Sequence, residues 1–198
     1  MSFCVNGCRV SVSLPFAAAV AFLLFADSTG AAAAGLLAAA VHEGGHLAVM
    51  CVFGAPPAAM RFNPFGVDLK RGENRLSFGR EALVALAGPA ANLLLAGGLW
   101  LLHNPAFSMM LTANLILAGF NLLPVEPLDG GQALYAALCM RVSGEAAAKG
   151  VQVLSFFVVV PLAALGLLLL FQSRYNFTLL AVSAYLAALL ALKRGRYF

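Results

Sequence analysis

Charge is what this chain has least of. Its 198 residues include 12 Lys and Arg and 8 Asp and Glu, so charged residues make up 10% of the sequence. A soluble globular domain carries about 25%. That shortage excludes an ordinary water-soluble fold. With 62% apolar residues and a mean hydropathy of +0.92, the chain is expected to live in a lipid bilayer. The sequence has no internal repeat, no low-complexity tail and no appended soluble domain. It also lacks a compact basic surface with interleaved aromatics, so nucleic acid is not an expected partner. Cysteine occurs four times. Cys51 and Cys139 lie in apolar stretches and read as small packing residues. Cys4 and Cys8 form a C-x3-C pair that is too weak a signal to imply a metal.

The apolar runs place about six spans, at 12–26, 31–53, 81–102, 106–123, 151–171 and 177–192. The first and last are short for a hydrocarbon core of ~30 Å, which takes about 20 helical residues. The first run reads as a span rather than a cleaved leader. Only Arg9 precedes it, and Asp27-Ser28-Thr29-Gly30 makes a poor cleavage site. The expected fold class is an all-α integral membrane protein with a short β-hairpin-like insertion between the second and third helices. The expected domain is one membrane-embedded unit over 1–198, with a core at about 30–140 and added helices at 151–192.

The few cations are unevenly placed. With both termini in the cytoplasm, Arg9, Arg61, Lys70, Arg71, Arg75, Arg80, Arg141, Lys149, Lys193, Arg194 and Arg196 fall inside and Arg174 alone outside. Such a bias is the positive-inside pattern of a multi-pass protein in a bacterial cell membrane. Trp100 and Tyr197 suit aromatic belts at opposite faces, and Lys193-Arg194-Gly195-Arg196 suits an anchor at anionic lipid. Gly97-Gly98 and Gly166 suit close helix packing.

Residues 1–11 read as a short polar lead. The sizeable polar insertion, at about 54–80, opens with Gly54-Ala55-Pro56-Pro57, which stops the second helix. Residues 60–69 and 75–78 partly alternate apolar and polar, separated by Gly72-Glu73-Asn74, and suggest two strands. Their edge is a candidate surface for strand addition by an unwound substrate segment. After the fourth run, Pro124 and Pro127 cannot continue a regular helix. Residues 132–142 then read as a short helix.

Chemistry concentrates on the second span. His42 and His46 stand four residues apart, so both imidazoles lie on one helical face about 5–6 Å apart at Cβ. That spacing lets both bind one Zn²⁺. Glu43 follows the first His, in the H-E-x-x-H order of zinc peptidases. Two His and a Glu at membrane depth are costly unless paired, metal-bound or facing water. A catalytic zinc takes a third protein ligand. Glu126 and Asp129, in the broken segment after the fourth span, are both candidates, and spacing alone leaves the two open. His103, beside Asn104-Pro105 at a helix end, reads as interfacial rather than as a ligand.

Three motifs stand in order on the second, third and fourth spans: His42-Glu43-Gly44-Gly45-His46, Gly88-Pro89-Ala90-Ala91-Asn92, and Asn121…Pro124…Pro127-Leu128-Asp129-Gly130-Gly131. Together they resemble the signatures of site-2 proteases, a family of intramembrane zinc metalloproteases. The layout is most similar to the branch of the sporulation pro-sigma-factor processing protease. The resemblance covers roughly 35–135. It implies one Zn²⁺ per chain held by His42, His46 and Asp129, with Glu43 as general base. It implies that Asn121 and Pro127 line the substrate cleft, with Asn121 a candidate donor to the oxyanion, and that Gly88 and Asn92 pack the third helix near the site. It further implies a transmembrane protein as substrate and leaves room for a membrane regulatory protein. Neither a PDZ-like insertion nor a nucleotide-sensing domain is expected. Two other readings of the motif are a zinc transporter and an inactive scaffold for membrane proteins. Transport gives no reason for a Glu beside a His ligand, and a scaffold would not need the full set of reactive residues.

Overall fold

The computed structural model describes residues 2–5, 8–63, 66–72, 74, 76–173 and 178–192. Arg75, Arg174, Lys193, Arg194, Arg196 and Tyr197, used in the charge and belt arguments, lie outside them. The chain divides into two compact units, one of Met1–Arg80 with Ala87–Gly119 and one of Glu81–Leu86 with Phe120–Phe198.

The first unit runs β1 (Ser2–Val5), β2 (Cys8–Val12), α1 (Leu14–Ala26), α2 (Ala31–Val52), β3 (Pro57–Asn63), β4 (Gly66–Arg71), most of α3 (Phe78–Leu101), a 3-10 turn (Pro105–Phe107) and most of α4 (Ser108–Asn121). The strands form one sheet in the order β1-β2-β3-β4. Two of these strands were not expected: the presumed polar lead is a β1–β2 hairpin whose second strand pairs in parallel with β3. The expected hairpin exists but is displaced. β3 and β4 pair from Pro57↔Arg71 to Asn63↔Gly66, and residues 76–77 lead straight into α3. The register explains the displacement: Met60↔Leu69 and Phe62↔Val67 place apolar partners together.

Helix ends follow local chemistry. Ser13 caps α1, its hydroxyl accepting from Phe16 N–H at 3.3 Å. Asp27 organises the entry to α2, accepting from Thr29 Oγ1 at 2.7 Å, Thr29 N–H at 2.9 Å and Ala32 N–H at 2.8 Å. The Thr29 hydroxyl, with those N–H groups, holds the Asp27 carboxyl down to about 2. A lowered carboxyl favours the fold at neutral pH, and the contribution disappears as pH falls through about 2. At the other end of α2, Gly54 takes φ 68, and Ala55 N–H reaches Met50 C=O while Gly54 N–H reaches Cys51 C=O, both at 3.0 Å. This double return bond terminates a helix at a glycine.

α2, α3 and the later α6 are long and apolar enough to cross a membrane, and α1 and α7 are shorter apolar helices. Phe25 is 92% exposed and Leu94 78%, apolar surface that suits contact with lipid. His103 sits at φ 50 with Nδ1 2.8 Å from Leu101 C=O, exposed at the end of α3, as an interfacial residue should be.

The second unit contains α5 (Asp129–Cys139), α6 (Gly144–Ser173) and α7 (Thr178–Leu192). Its core is Val125, Leu128, Val159 and Leu186, with Phe120 and Val182 packed against them. The short helix thus starts at Asp129, three residues earlier than the sequence suggests, and α6 starts at Gly144. Gly166 lets α6 approach α7 closely, since a Cβ there would lie 2.7 Å from Leu180 N. Gly97 and Gly98 have no such role, with nothing within 4 Å of an added Cβ.

Candidate metal centre

α2 buries one stripe, Ala34, Ala38, His42, His46 and Met50, at strict four-residue spacing. An apolar helix face with two imidazoles on it is the feature to explain. His42 and His46 are 6% and 7% exposed, their rings are nearly perpendicular at 85°, and their Nε2 atoms stand 3.2 Å apart. Two nitrogens bound at about 2.0–2.1 Å to one tetrahedral ion stand about 3.3 Å apart. The pair therefore has the spacing that a shared zinc requires.

The protonation of His42 follows from its neighbours. Asn92, fully buried on α3, has Nδ2 2.9 Å from Ala38 C=O, which can only accept. Nδ2 also lies 2.7 Å from Asn114 Oδ1 on α4, and Asn114 Nδ2 donates to Met110 C=O at 2.8 Å. Both amide orientations are thus fixed by backbone carbonyls. Asn92 Oδ1 must then be the atom 2.8 Å from His42 Nδ1, and His42 Nδ1–H donates to it. In the neutral ring this leaves Nε2, the nitrogen that faces His46, unprotonated. A metal-binding imidazole is held in this tautomer by a bond from its other nitrogen. Asn92 therefore orients the ring as well as packing beside it. Asn114, which no motif singles out, completes the chain. Its signal was available: a lone amide inside an apolar run.

Two glycines let α3 reach the histidines. A Cβ at Gly88 would press on His46 Nε2 and lie 2.8 Å from His42 Cε1. One at Gly45 would lie 2.5 Å from Ala87 O and 2.8 Å from Ala91 Cβ. Gly44 faces open space, with nothing within 4 Å. Gly44→Ala should therefore leave zinc content and thermal stability unchanged or slightly raise stability, alanine being the better helix former by up to about 1 kcal/mol. Gly88→Ala should remove zinc and Gly45→Ala should lower the melting temperature. Equal behaviour of all three would contradict the packing.

Glu43 is half-buried on α2 between His42 and His46. In the second unit, Asn121 is the last residue of α4, Pro127 stands in the following loop, and Asp129 opens α5, where a carboxylate suits a helix N-terminus. Glu126 is buried in that loop, and its N–H donates to Ser155 Oγ at 2.8 Å.

The model of peptidase family M50 matches residues 101–165. Stage IV sporulation protein FB of Bacillus subtilis (strain 168) is 33% identical over 108 residues, which cover 50% of this chain. The matched region spans 37% of that relative's length. Among solved structures, the site-2 protease from Methanocaldococcus jannaschii superposes with a TM-score of 0.65 at 21% identity, over 100% of this chain and 96% of that one. The chain has the site-2 protease fold.

Proposed function

We propose that this chain is an intramembrane zinc metalloprotease that hydrolyses a peptide bond within or beside a transmembrane segment of another membrane protein. The observation that carries the reading is the buried His42–His46 pair, with Nε2 atoms 3.2 Å apart and the His42 tautomer set by Asn92, on a helix long enough to span a bilayer. His42, His46 and Asp129 make a two-imidazole, one-carboxylate donor set that could hold one zinc. When bound, zinc supplies a Lewis acid that polarises a carbonyl and acidifies water. Glu43 takes the proton of the attacking water and returns it to the leaving amine. The Asn121 amide is assigned to the developing oxyanion, and Pro127 to the substrate cleft. A peptide bond within a helix is shielded by its own hydrogen bonds, so the substrate segment must unwind first. Both termini lie in the cytoplasm by the cation bias. The segment proteolysed belongs to a membrane-embedded partner, and cleavage of this kind serves regulated intramembrane proteolysis.

Metal analysis tests the donor set. Purified protein should carry one zinc per chain, lose cleavage on chelation and regain it with zinc. Asp129→Ala should lose the zinc, whereas Glu126→Gln should keep it. Full zinc in Asp129→Ala, or its loss in Glu126→Gln, would reassign the third ligand. Metal flux through vesicles without cleavage would favour the transporter reading instead.

A further inference from the structure

The four-stranded sheet is two-faced. Its register aligns Cys4, Arg9, Ala59 and Lys70 in one row, and Ser11 with Arg61 in the next. Side chains alternate across a strand, so these positions share a face. Arg9, Arg61 and Lys70 are exposed, while Val10, Met60, Phe62 and Leu69, at the intervening positions, are half-buried. The small side chain of Ala59 sits between Arg9 and Lys70, whose backbones are roughly 9–10 Å apart across two strand spacings. It leaves a depression rimmed by cations. A cavity of about 390 Å³ lies there, lined by Cys4, Arg9, Ser11, Ala58, Arg61 and Lys70 with Ala59. No carboxylate lines it among the described residues. Asp68, opposite Arg61 in the register, is the single acidic residue in these two rows, against the three cations Arg9, Arg61 and Lys70.

Like charges gathered across neighbouring strands repel. Their grouping is stabilised by an anion that all three can reach, and Arg in particular grips phosphoryl oxygens through two parallel N–H bonds. The position of the sheet names the source. β2 ends at Val12 and α1 begins at Leu14. Ser13 N–H donates to Phe62 C=O at 3.1 Å, and Phe62 packs on Phe16 with ring centroids 5.6 Å apart. α1 has no buried residue along its thirteen, as expected of a helix bathed in lipid. The sheet is therefore fastened to the foot of a lipid-exposed helix, at the level where hydrocarbon gives way to headgroups.

We infer that this cavity binds the phosphoryl headgroup of an anionic phospholipid and so ties the sheet to the membrane surface. Of the proposed function, the assignment uses only the membrane setting and needs no proteolysis. Native mass spectrometry of the full chain released from detergent tests it, with phosphatidylglycerol and phosphatidylcholine as probes. One phosphatidylglycerol should remain bound under conditions that strip phosphatidylcholine. Arg9→Gln, Arg61→Gln and Lys70→Gln should each weaken retention about fivefold, and the triple variant about a hundredfold. Arg61→Lys, which keeps the charge and gives up the paired N–H bonds, should lose less than Arg61→Gln, and Lys149→Gln, an equal loss of charge on α6, should change it less than twofold. Glu43→Gln should bind the lipid as the unaltered chain does, so failure here is separable from failure of the protease reading. An unchanged melting temperature in the single variants guards against misfolding. Equal retention of both lipids, or a loss in Lys149→Gln matching that in Arg61→Gln, would overturn the inference. Full displacement of the lipid by millimolar inorganic phosphate would assign the cavity to a free anion and overturn the lipid assignment.

Discussion

Glu43→Gln should abolish cleavage while leaving one zinc per chain. The substitution keeps the size and polarity of the side chain but removes its ability to accept a proton. Position 43 is not one of the donor positions, since Glu43 is turned off the buried stripe that carries His42 and His46. Zinc binding should therefore survive, and the His42 Nδ1–Asn92 Oδ1 bond of 2.8 Å should persist. A general base contributes typically 10²–10⁴-fold to a rate, or about 3–5 kcal/mol of barrier. In the proposed mechanism the same residue returns the proton to the amine, so both steps suffer and the upper end of that range is expected. Single-turnover cleavage in native membranes, alongside zinc analysis, measures it. The inactive chain should also accumulate uncleaved membrane proteins, which makes it a trap for the substrate. Cleavage at the unaltered rate would remove Glu43 from the mechanism. Loss of zinc together with activity would give it a ligand role instead.

The parts of this molecule that could be read in the sequence are those where local chemistry alone decides. The helices of the core appear within a few residues of their expected places because long apolar runs, ended by Gly54-Ala55-Pro56-Pro57 or broken by Pro124 and Pro127, admit few alternatives. His42 and His46 stood out because imidazoles are costly in an apolar helix. The sheet was only half visible. β2 pairs in parallel with β3, Arg9 opposite Ala59, across fifty residues, and no local pattern announces a partner so distant. The strand bounds were misplaced because turn residues such as Gly72 and Asn74 suggested a break, whereas the cross-strand apolar pairs Met60↔Leu69 and Phe62↔Val67 set the register. Spacing alone left Glu126 and Asp129 both open for a different reason. Spacing says nothing about a loop whose path depends on hydrogen bonds such as Glu126 N–H to Ser155 Oγ. Asn114 went unnoticed because its partner is Asn92, twenty-two residues away on another helix.

That pair yields the second large effect. Asn92→Ala should weaken zinc binding by about 10–100-fold, the usual cost of removing a partner that orients a metal-binding histidine, or about 1.4–2.7 kcal/mol. The reason is specific to the tautomer. Asn92 Oδ1 accepts the His42 Nδ1 proton at 2.8 Å, and the substitution removes that acceptor. His42 can then move the proton to Nε2, where it blocks the lone pair that faces His46. Asn114→Ala should act in the same direction but less strongly. Asn92 would keep its bond to Ala38 C=O at 2.9 Å, so its oxygen would still face His42, but with one of two anchors gone. Zinc affinity by competition with a chelator gives the ranking, and ¹⁵N NMR of the imidazoles reports which nitrogen of His42 carries the proton. A merely packing role for Asn92 would lower thermal stability and leave the His42 tautomer as it was. Wild-type zinc affinity in Asn92→Ala would show that the ring is held by other means.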